Sequence, residues 1–151
     1  MSEKVKKEIF EWIKVFALAI IFAFIITQFI KPTLVRGDSM YSTLEEGDYL
    51  IINRMSYKFG EPKRGDIIVF ESDLQQDDGT NKDLVKRVIG VSGDTVKIKD
   101  SKVYVNGKEL NEPYIHNEVT EGDIDTIVPE NSVFVLGDNR EISLDSRYEQ
   151  V

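Results

Sequence analysis

The stretch LVKRVIGVSGDTVKIKDSKVYV, residues 84–105, contains three short runs that are rich in β-branched residues. The first two runs are separated by Ser92-Gly93-Asp94, and Asn106-Gly107 follows the third run. Glycine beside an acidic or amide residue is typical of tight turns, and Asn-Gly between two apolar runs is the strongest short signal for a β-hairpin. The stretch therefore predicts short β-strands that are joined by tight turns.

The same pattern continues over the rest of the chain after Pro32, where no window sustains the 3.6-residue period of an amphipathic helix. We predict six strands, at residues 49–53, 67–70, 84–91, 95–99, 102–105 and 133–136. Two polar stretches, residues 72–83 and 111–126, are predicted to be surface loops. Many short strands with frequent turns are typical of an all-β sheet or a partly closed barrel, so the predicted fold class is mainly β.

Residues 15–30, VFALAIIFAFIITQFI, form a long apolar segment near the N-terminus. As a helix this segment spans about 24 Å, and its extension back to Ile9 matches the roughly 30 Å hydrocarbon core of a bilayer. Pro32 ends the helix because it cannot donate a helical hydrogen bond. The segment predicts a membrane anchor. A cleaved signal peptide and a buried helix of a soluble protein are the alternatives, but no small-x-small cleavage pattern follows the segment.

The lysine distribution predicts the orientation of this anchor. The N-terminal flank carries four cations and the region after the helix carries two, namely Lys4, Lys6, Lys7 and Lys14 against Lys31 and Arg36. Because the flank richer in Lys and Arg stays in the cytoplasm, we expect the N-terminus to lie inside. The predicted order is a cytoplasmic segment at residues 1–8, a transmembrane helix at residues 9–31 and an extracytoplasmic β domain at residues 32–151.

Composition excludes several kinds of site. The formal net charge of −8 argues against nucleic acid as a partner, since phosphate binding requires a basic surface. The chain has no cysteine, which excludes disulfides and thiolate metal sites, and its one histidine is His116. We interpret His116 as a solvated loop residue. The acidic cluster at residues 75–79 lacks the ligand spacing of a calcium loop, so we expect neither a metal nor a cofactor.

Ser39 and Lys86 are the candidate reacting groups. A serine hydroxyl is a weak nucleophile until a base takes its proton, and with histidine scarce a lysine is the available base. A free lysine is protonated at pH 7, but burial in apolar surroundings lowers its pKa. The period-2 alternation of the predicted strand places Leu84 and Val88 on the face of Lys86, and Arg87 on the opposite face is expected to be a solvated cation. Taken singly, Ser39 also fits an ordinary turn and Lys86 an ordinary edge-strand lysine.

Three segments carry the candidate chemistry, namely GDSMYSTL at residues 37–44, VKRVIGVSGD at residues 85–94 and GDNREISLDSR at residues 137–147. In this order, and behind an apolar anchor, they resemble the type I signal peptidases of bacteria, in particular those of the Gram-positive type. The resemblance implies a membrane-bound serine endopeptidase that removes signal peptides from exported preproteins. It also implies that Ser39 is the nucleophile and Lys86 the general base.

The resemblance further assigns supporting residues. Ser143 matches a serine that orients the lysine amine by a hydrogen bond, and Asp145 and Arg147 match a structural ion pair. The backbone N–H of Ser39 is expected to contribute to the oxyanion hole. Gly37 stands where a hydroxyl would otherwise supply a second donor, so that donor stays open.

The substrate expected from the resemblance is a signal peptide with small side chains at the first and third positions before the cut, bound as an added strand. Met40, Leu84 and Val85 are predicted to line its binding site. Relatives continue beyond the third segment with another strand, so we expect the form that ends at Val151 to be truncated. Two alternatives stay open: a membrane-tethered β domain that binds without catalysis, and a self-processing Ser–Lys protease of the same β architecture.

Overall fold

The computed structural model describes residues 2–76, 78–115 and 119–148. Within the described residues the chain forms two compact units, one from Met1–Thr33 and Leu50–Phe59 and the other from Leu34–Tyr49 and Gly60–Val151. The predictions made for His116 and for the chain end at Val151 lie outside the described residues, as does part of the acidic cluster at residues 75–79.

The secondary structure is mainly β, as predicted. The elements are, in chain order, α1 (Glu3–Phe29), β1 (Ile30–Leu34), β2 (Tyr49–Asn53), α2 (Ser56–Phe59), β3 (Ile67–Gln75), β4 (Asn81–Val91), β5 (Thr95–Lys99), β6 (Lys102–Val105), β7 (Lys108–Glu109), β8 (Ile124–Ile127) and β9 (Val133–Leu136). The described strands form three open sheets, in the orders β1-β2, β3-β4-β9 and β7-β6-β5-β8.

Helix α1 starts six residues before the predicted anchor because its first turn is capped. The Ser2 side chain accepts a hydrogen bond from the Val5 N–H at 3.4 Å, and Glu3 places a negative charge at the positive end of the helix dipole. None of its residues is buried, and an 18-residue window has a mean hydropathy of 2.4. A core helix of a soluble protein buries one face, so the exposure of α1 favours the anchor over that alternative. By length and composition, α1 can cross a membrane.

Strand β1 follows α1 directly and was missed in the sequence analysis. Pro32 disfavours helical backbone at Lys31, which turns the chain into an extended conformation. The strand pairs with β2, whose predicted bounds were correct. Pro32 therefore both ends the helix and starts the strand.

The second unit contains two apolar cores, and β4 contributes to both. Ile89 belongs to the larger core, which it forms with Val96, Ile98, Val103, Val105, Val128, Phe134 and Leu136. Val88 belongs to the smaller core with Ile68 and Val135. The pairing of β4 with β9 shifts register between Val88 and Gly90, and this irregularity accounts for consecutive buried residues in a strand.

The hairpin predicted at Asn106-Gly107 is confirmed. Strands β6 and β7 pair through Tyr104 with Glu109 and through Val105 with Lys108, leaving a two-residue turn. Both turn residues have positive φ, 52° for Asn106 and 76° for Gly107, as a type I′ turn requires.

The two predicted polar loops are shorter than expected. Strand β3 extends to Gln75 and β4 begins at Asn81, so seven of the twelve residues 72–83 lie in strands. Strand β8 overlaps the end of the second stretch, residues 111–126, and pairs with β5. Across this pair, Lys97 and Asp125 form an exposed ion pair at 2.6 Å. The prediction failed because exposed strand faces accept polar cross-strand pairs, which removes the apolar alternation that marks a strand.

Candidate active site

The structure brings Ser39 and Lys86 together, although 47 positions separate them in the chain. The Nζ atom of Lys86 donates a hydrogen bond to Ser39 Oγ at 2.7 Å and a second one to the Val85 carbonyl oxygen at 3.0 Å. A nucleophile and its base must lie within hydrogen-bond distance for the proton to transfer. These two side chains satisfy that requirement.

Lys86 is buried in an apolar setting. Its exposed fraction is 2 %, and its neighbours on the same face of β4, Leu84 and Val88, are also buried. Burial lowers the pKa of Lys86 from 10.5 to about 8, while the charge of Asp145 raises this pKa and that of Lys82 lowers it further. A useful fraction of the amine is therefore uncharged near neutral pH and can accept a proton.

Ser39 lies in a turn that is anchored to the loop after β9. Gly37, two residues earlier, has a φ of +82°, which favours glycine at this position. Met40 is buried, with 1 % of its surface exposed, and its carbonyl accepts a hydrogen bond from the Leu44 N–H at 2.9 Å. The Ser39 carbonyl accepts a hydrogen bond from the Asn139 N–H at 3.1 Å. Ser39 is therefore held by backbone contacts on both sides.

Gly137 packs directly against this turn. A Cβ atom at position 137 would overlap the carbonyl oxygen of Ser39 and the side chain of Ser143. The backbone N–H of Gly137 donates a hydrogen bond to Asp145 Oδ2 at 3.0 Å. The close approach of the two backbones therefore requires glycine at this position.

Arg87 is not the solvated cation that the sequence analysis predicted. Its guanidinium forms two hydrogen bonds with Asp138, at 2.8 Å and 2.6 Å, and its side chain is 12 % exposed. Asp138 is fully buried and also accepts a hydrogen bond from Thr43 Oγ1 at 2.5 Å. The prediction was wrong because the partner of Arg87 lies 51 positions away, and strand alternation carries no information about such a partner.

Ser143 lies near Ser39 but does not contact the lysine as expected. Its Oγ atom is buried and has no hydrogen-bond partner among the described residues. The predicted hydrogen bond to Lys86 is absent, and the amine contacts Ser39 Oγ and the Val85 carbonyl oxygen. The backbone N–H of Ser143 donates to the Asn139 carbonyl at 3.1 Å, which keeps the residue in the loop beside Gly137.

The ion pair expected between Asp145 and Arg147 is present. Arg147 Nε lies 2.8 Å from Asp145 Oδ1, and the two side chains are 6 % and 0 % exposed. Arg147 Nη2 also donates to the Arg140 carbonyl at 2.7 Å. The pair therefore fixes the loop that carries Gly137 and Ser143 through contacts with its backbone.

The sequence analysis missed Asp138 and Arg140, which are 0 % and 2 % exposed. Arg140 Nε donates to the Gly137 carbonyl at 2.9 Å, so this side chain also fixes the loop. Both residues are part of the quoted GDNR segment. Their burial could not be inferred, because an exposed turn often carries charged residues of this kind.

Leu84 and Val85, predicted to line a peptide site, lie on a partly open edge of β4. They pair with Phe70 and Val69 of β3, whereas the pairing of β4 with β9 begins only at Arg87. Among the described strands, none pairs with the other edge of β4 at these two positions. An open edge offers backbone donors and acceptors to an added strand.

Within the described parts of the chain, no cluster of three or more His, Cys, Asp or Glu side chains could hold a metal ion.

Known proteins resemble this chain over nearly its full length. The family described as "Signal peptidase, peptidase S26" matches residues 9–151. Signal peptidase I of Bacillus licheniformis is 40 % identical over 157 residues, which cover 97 % of this chain and 82 % of that protein. Signal peptidase IB of Staphylococcus aureus (strain COL) is 39 % identical, with 94 % of this chain and 81 % of that protein covered.

A crystal structure of a signal peptidase I from Enterococcus faecalis V583 is 37 % identical and aligns with a TM-score of 0.48, covering 59 % of this chain and 86 % of that one. The family match and the two curated relatives cover most of the sequence. On that basis, the chain belongs to the signal peptidase family, peptidase S26.

Proposed function

We propose that this chain is a membrane-bound serine endopeptidase that removes N-terminal signal peptides from exported preproteins, with Ser39 as the nucleophile and Lys86 as the general base. The observation that carries the proposal is the 2.7 Å contact between Lys86 Nζ and Ser39 Oγ at a buried amine. Together with family membership, this contact supports a Ser–Lys mechanism.

In the first step, the uncharged amine of Lys86 takes the proton of Ser39 Oγ as the oxygen attacks the scissile carbonyl carbon. The backbone N–H of Ser39 stabilises the negative oxygen of the tetrahedral intermediate. The ammonium of Lys86 then gives its proton to the leaving amine, and an acyl-enzyme is left. Lys86 next takes a proton from water as the water attacks the ester carbon, and it gives this proton to Ser39 Oγ as the ester C–O bond breaks and the signal peptide is released.

The substrate binds as an added strand along the open edge of β4. Leu84 and Val85 present this edge immediately before Lys86, so an added peptide places its scissile bond near the reacting pair. Met40 follows Ser39 directly, and its side chain, with 1 % of its surface exposed, forms a closed wall beside the nucleophile in this proposal. Side chains at alternate positions of an added strand point to the same face, which fits recognition of small residues at the first and third positions before the cut.

Helix α1 anchors the enzyme in the bilayer with residues 1–8 in the cytoplasm and residues 32–151 outside. The four lysines on the N-terminal flank support this orientation. Ser39 follows the end of α1 at Phe29 by ten residues, so it reaches at most about 35 Å from that helix end. A nucleophile tethered so closely suits a cut just beyond the apolar part of a signal peptide.

The test is cleavage of a purified preprotein by the full chain in detergent micelles. Ser39→Ala and Lys86→Ala are expected to lower the rate by about 10³-fold or more, because each removes a reacting group. Ser92→Ala and Lys97→Ala are the matched controls, since both side chains are exposed, and they are expected to cleave at the wild-type rate. Equal cleavage by Ser39→Ala would overturn the proposed nucleophile. A wild-type protein as inactive as both variants would favour a non-catalytic β domain.

A further inference from the structure

Glu112 and Tyr114 lie in a stretch that was predicted to be a surface loop, yet their side chains are largely buried and hydrogen-bonded. The side chain of Glu112 is 7 % exposed, and Tyr114 Oη donates to Glu112 Oε1 at 3.0 Å. Burial raises the pKa of Tyr114, so the phenol keeps the proton that it donates. Neither side chain has a part in the proposed chemistry.

Glu112 reaches the Ser39 side of the active site through Arg140. Both carboxylate oxygens of Glu112 accept hydrogen bonds from Arg140, whose side chain is 1 % exposed. Arg140 Nε in turn donates to the carbonyl of Gly137. Because Gly137 packs against the Ser39 carbonyl, this chain of contacts ends at the backbone of the nucleophile.

Tyr114 reaches the Lys86 side of the active site through Arg87. The guanidinium carbon of Arg87 lies 3.9 Å above the centre of the Tyr114 ring, a cation–π contact. Arg87 is the neighbour of Lys86 on β4 and binds Asp138 with two hydrogen bonds. The ring therefore covers the ion pair that joins β4 to the loop after β9.

We propose that Glu112 and Tyr114 form a brace that holds the Ser39 turn and the Lys86 strand in register for proton transfer. The inference rests on the proposed function and adds two positioning residues to it, since neither side chain touches Ser39 or Lys86. Buried ion pairs stabilise proteins little compared with apolar contacts of the same volume, so stability alone is a weak reason for this arrangement. A misplacement of about 1 Å in a reacting pair can cost about 100-fold in rate, which is the advantage of a rigid support.

The experiment measures kcat, KM and the pH dependence of kcat/KM for the full chain in detergent with a purified preprotein. Glu112→Ala is expected to lower kcat by about 100-fold and to change KM by less than about twofold, because the substrate edge is untouched. Glu112→Gln keeps one acceptor oxygen and is expected to lose about 10-fold. Glu109→Gln is the matched control: Glu109 lies three positions earlier and forms an exposed pair with Lys102, and this variant is expected to match the wild type.

The pH profile separates positioning from stability. When the brace is lost, water reaches Lys86 more easily, so its pKa returns toward that of a free lysine and the acid limb of kcat/KM moves to higher pH by at least about half a unit. The folded fraction of each variant is measured by circular dichroism at every pH and the rate is divided by it, because the lowered pKa of Lys86 makes stability itself depend on pH. A folded Glu112→Ala protein with the kcat and acid limb of Glu109→Gln would overturn the brace.

Milder variants decide the outcome if Glu112→Ala does not fold. Tyr114→Phe removes only the hydroxyl that bonds Glu112, and Glu112→Gln removes the charge and one acceptor oxygen while it keeps the length of the side chain. If both kept the wild-type kcat and acid limb, or lost rate with no displacement of the limb, the brace would be refuted. A wild-type protein without Ser39-dependent cleavage contradicts the proposed function, whereas an active wild type with normal brace variants contradicts the brace alone.

Discussion

Replacing Lys86 with methionine is expected to stabilise the protein at pH 7 while it abolishes cleavage. Methionine is of similar length and carries no charge, so it suits the apolar face between Leu84 and Val88. Lys86 is 2 % exposed and its pKa falls from 10.5 to about 8 on folding. The free energy of unfolding is therefore lowered whenever this amine is charged, and this reduction is the penalty of its burial.

The sign and size of the effect follow from the two pKa values of Lys86. Because the folded-state pKa is lowered, the penalty is complete below pH 8 and fades as pH rises through 10.5. It amounts to about 3 kcal/mol at pH 7 and about 1 kcal/mol at pH 10. The substitution also loses hydrogen bonds to Ser39 and to the Val85 carbonyl, a loss of about 1–2 kcal/mol that is the same at both pH values. The net gain at pH 7 is therefore about 1–2 kcal/mol, and it falls by about 2 kcal/mol at pH 10.

The assay is urea unfolding of the full chain in detergent, followed by near-ultraviolet circular dichroism at pH 7, 8.5 and 10. The difference between the variant and the wild type cancels the titration of all other groups. Lys97→Met is the control, since Lys97 is exposed and its pKa is raised by Asp125, so its removal gives no gain at pH 7. A stability difference for Lys86→Met that stays constant within about 0.5 kcal/mol from pH 7 to 10 would refute the reasoning.

Two further predictions concern rate and backbone geometry. The wild-type kcat/KM should rise about fivefold from pH 7 to 8 and level off above about pH 9, because only uncharged Lys86 accepts the proton. A tenfold rise per pH unit up to pH 10 would mean that the amine is not shielded from water. Gly137→Ala should lower kcat by about 100-fold, since the new Cβ displaces Ser39. Its comparator, Gly107→Ala, strains a residue with φ of 76° and should lose about 1 kcal/mol of stability in urea unfolding with no change in kcat. Equal kcat values for the two alanine variants would contradict the packing argument.

The strands that could be predicted are those whose sequence alternates in polarity or ends at a clear turn signal. Strands β2, β5, β6 and β9 have the predicted bounds, and Asn106-Gly107 adopts the turn that its residue types demand. Strands β1 and β8 and the outer parts of β3 and β4 were missed. These segments are polar or contain Pro32, and their extended conformation is stabilised by cross-strand partners that a local pattern does not show.

The prediction of a signal peptidase is confirmed by the family match, and it rested on three short segments read together. The structure adds the contacts between these segments. It joins Ser39 to Lys86, and it pairs Asp138 with Arg87, which was predicted to be a solvated cation. It also shows Ser143 without the expected hydrogen bond to the amine.

The sequence by itself determined the apolar N-terminal helix, the mainly β fold and the identity of the candidate reacting groups, because each depends on residue type and on spacing within a short window. Only the tertiary structure decided which charges are buried and which partners they have. The pKa of Lys86 is lowered because strands distant in sequence exclude water from it, and Asp138 and Arg140 are buried because their partners come from other parts of the fold. Desolvation and pairing are properties of the assembled protein, so no local pattern could have specified them.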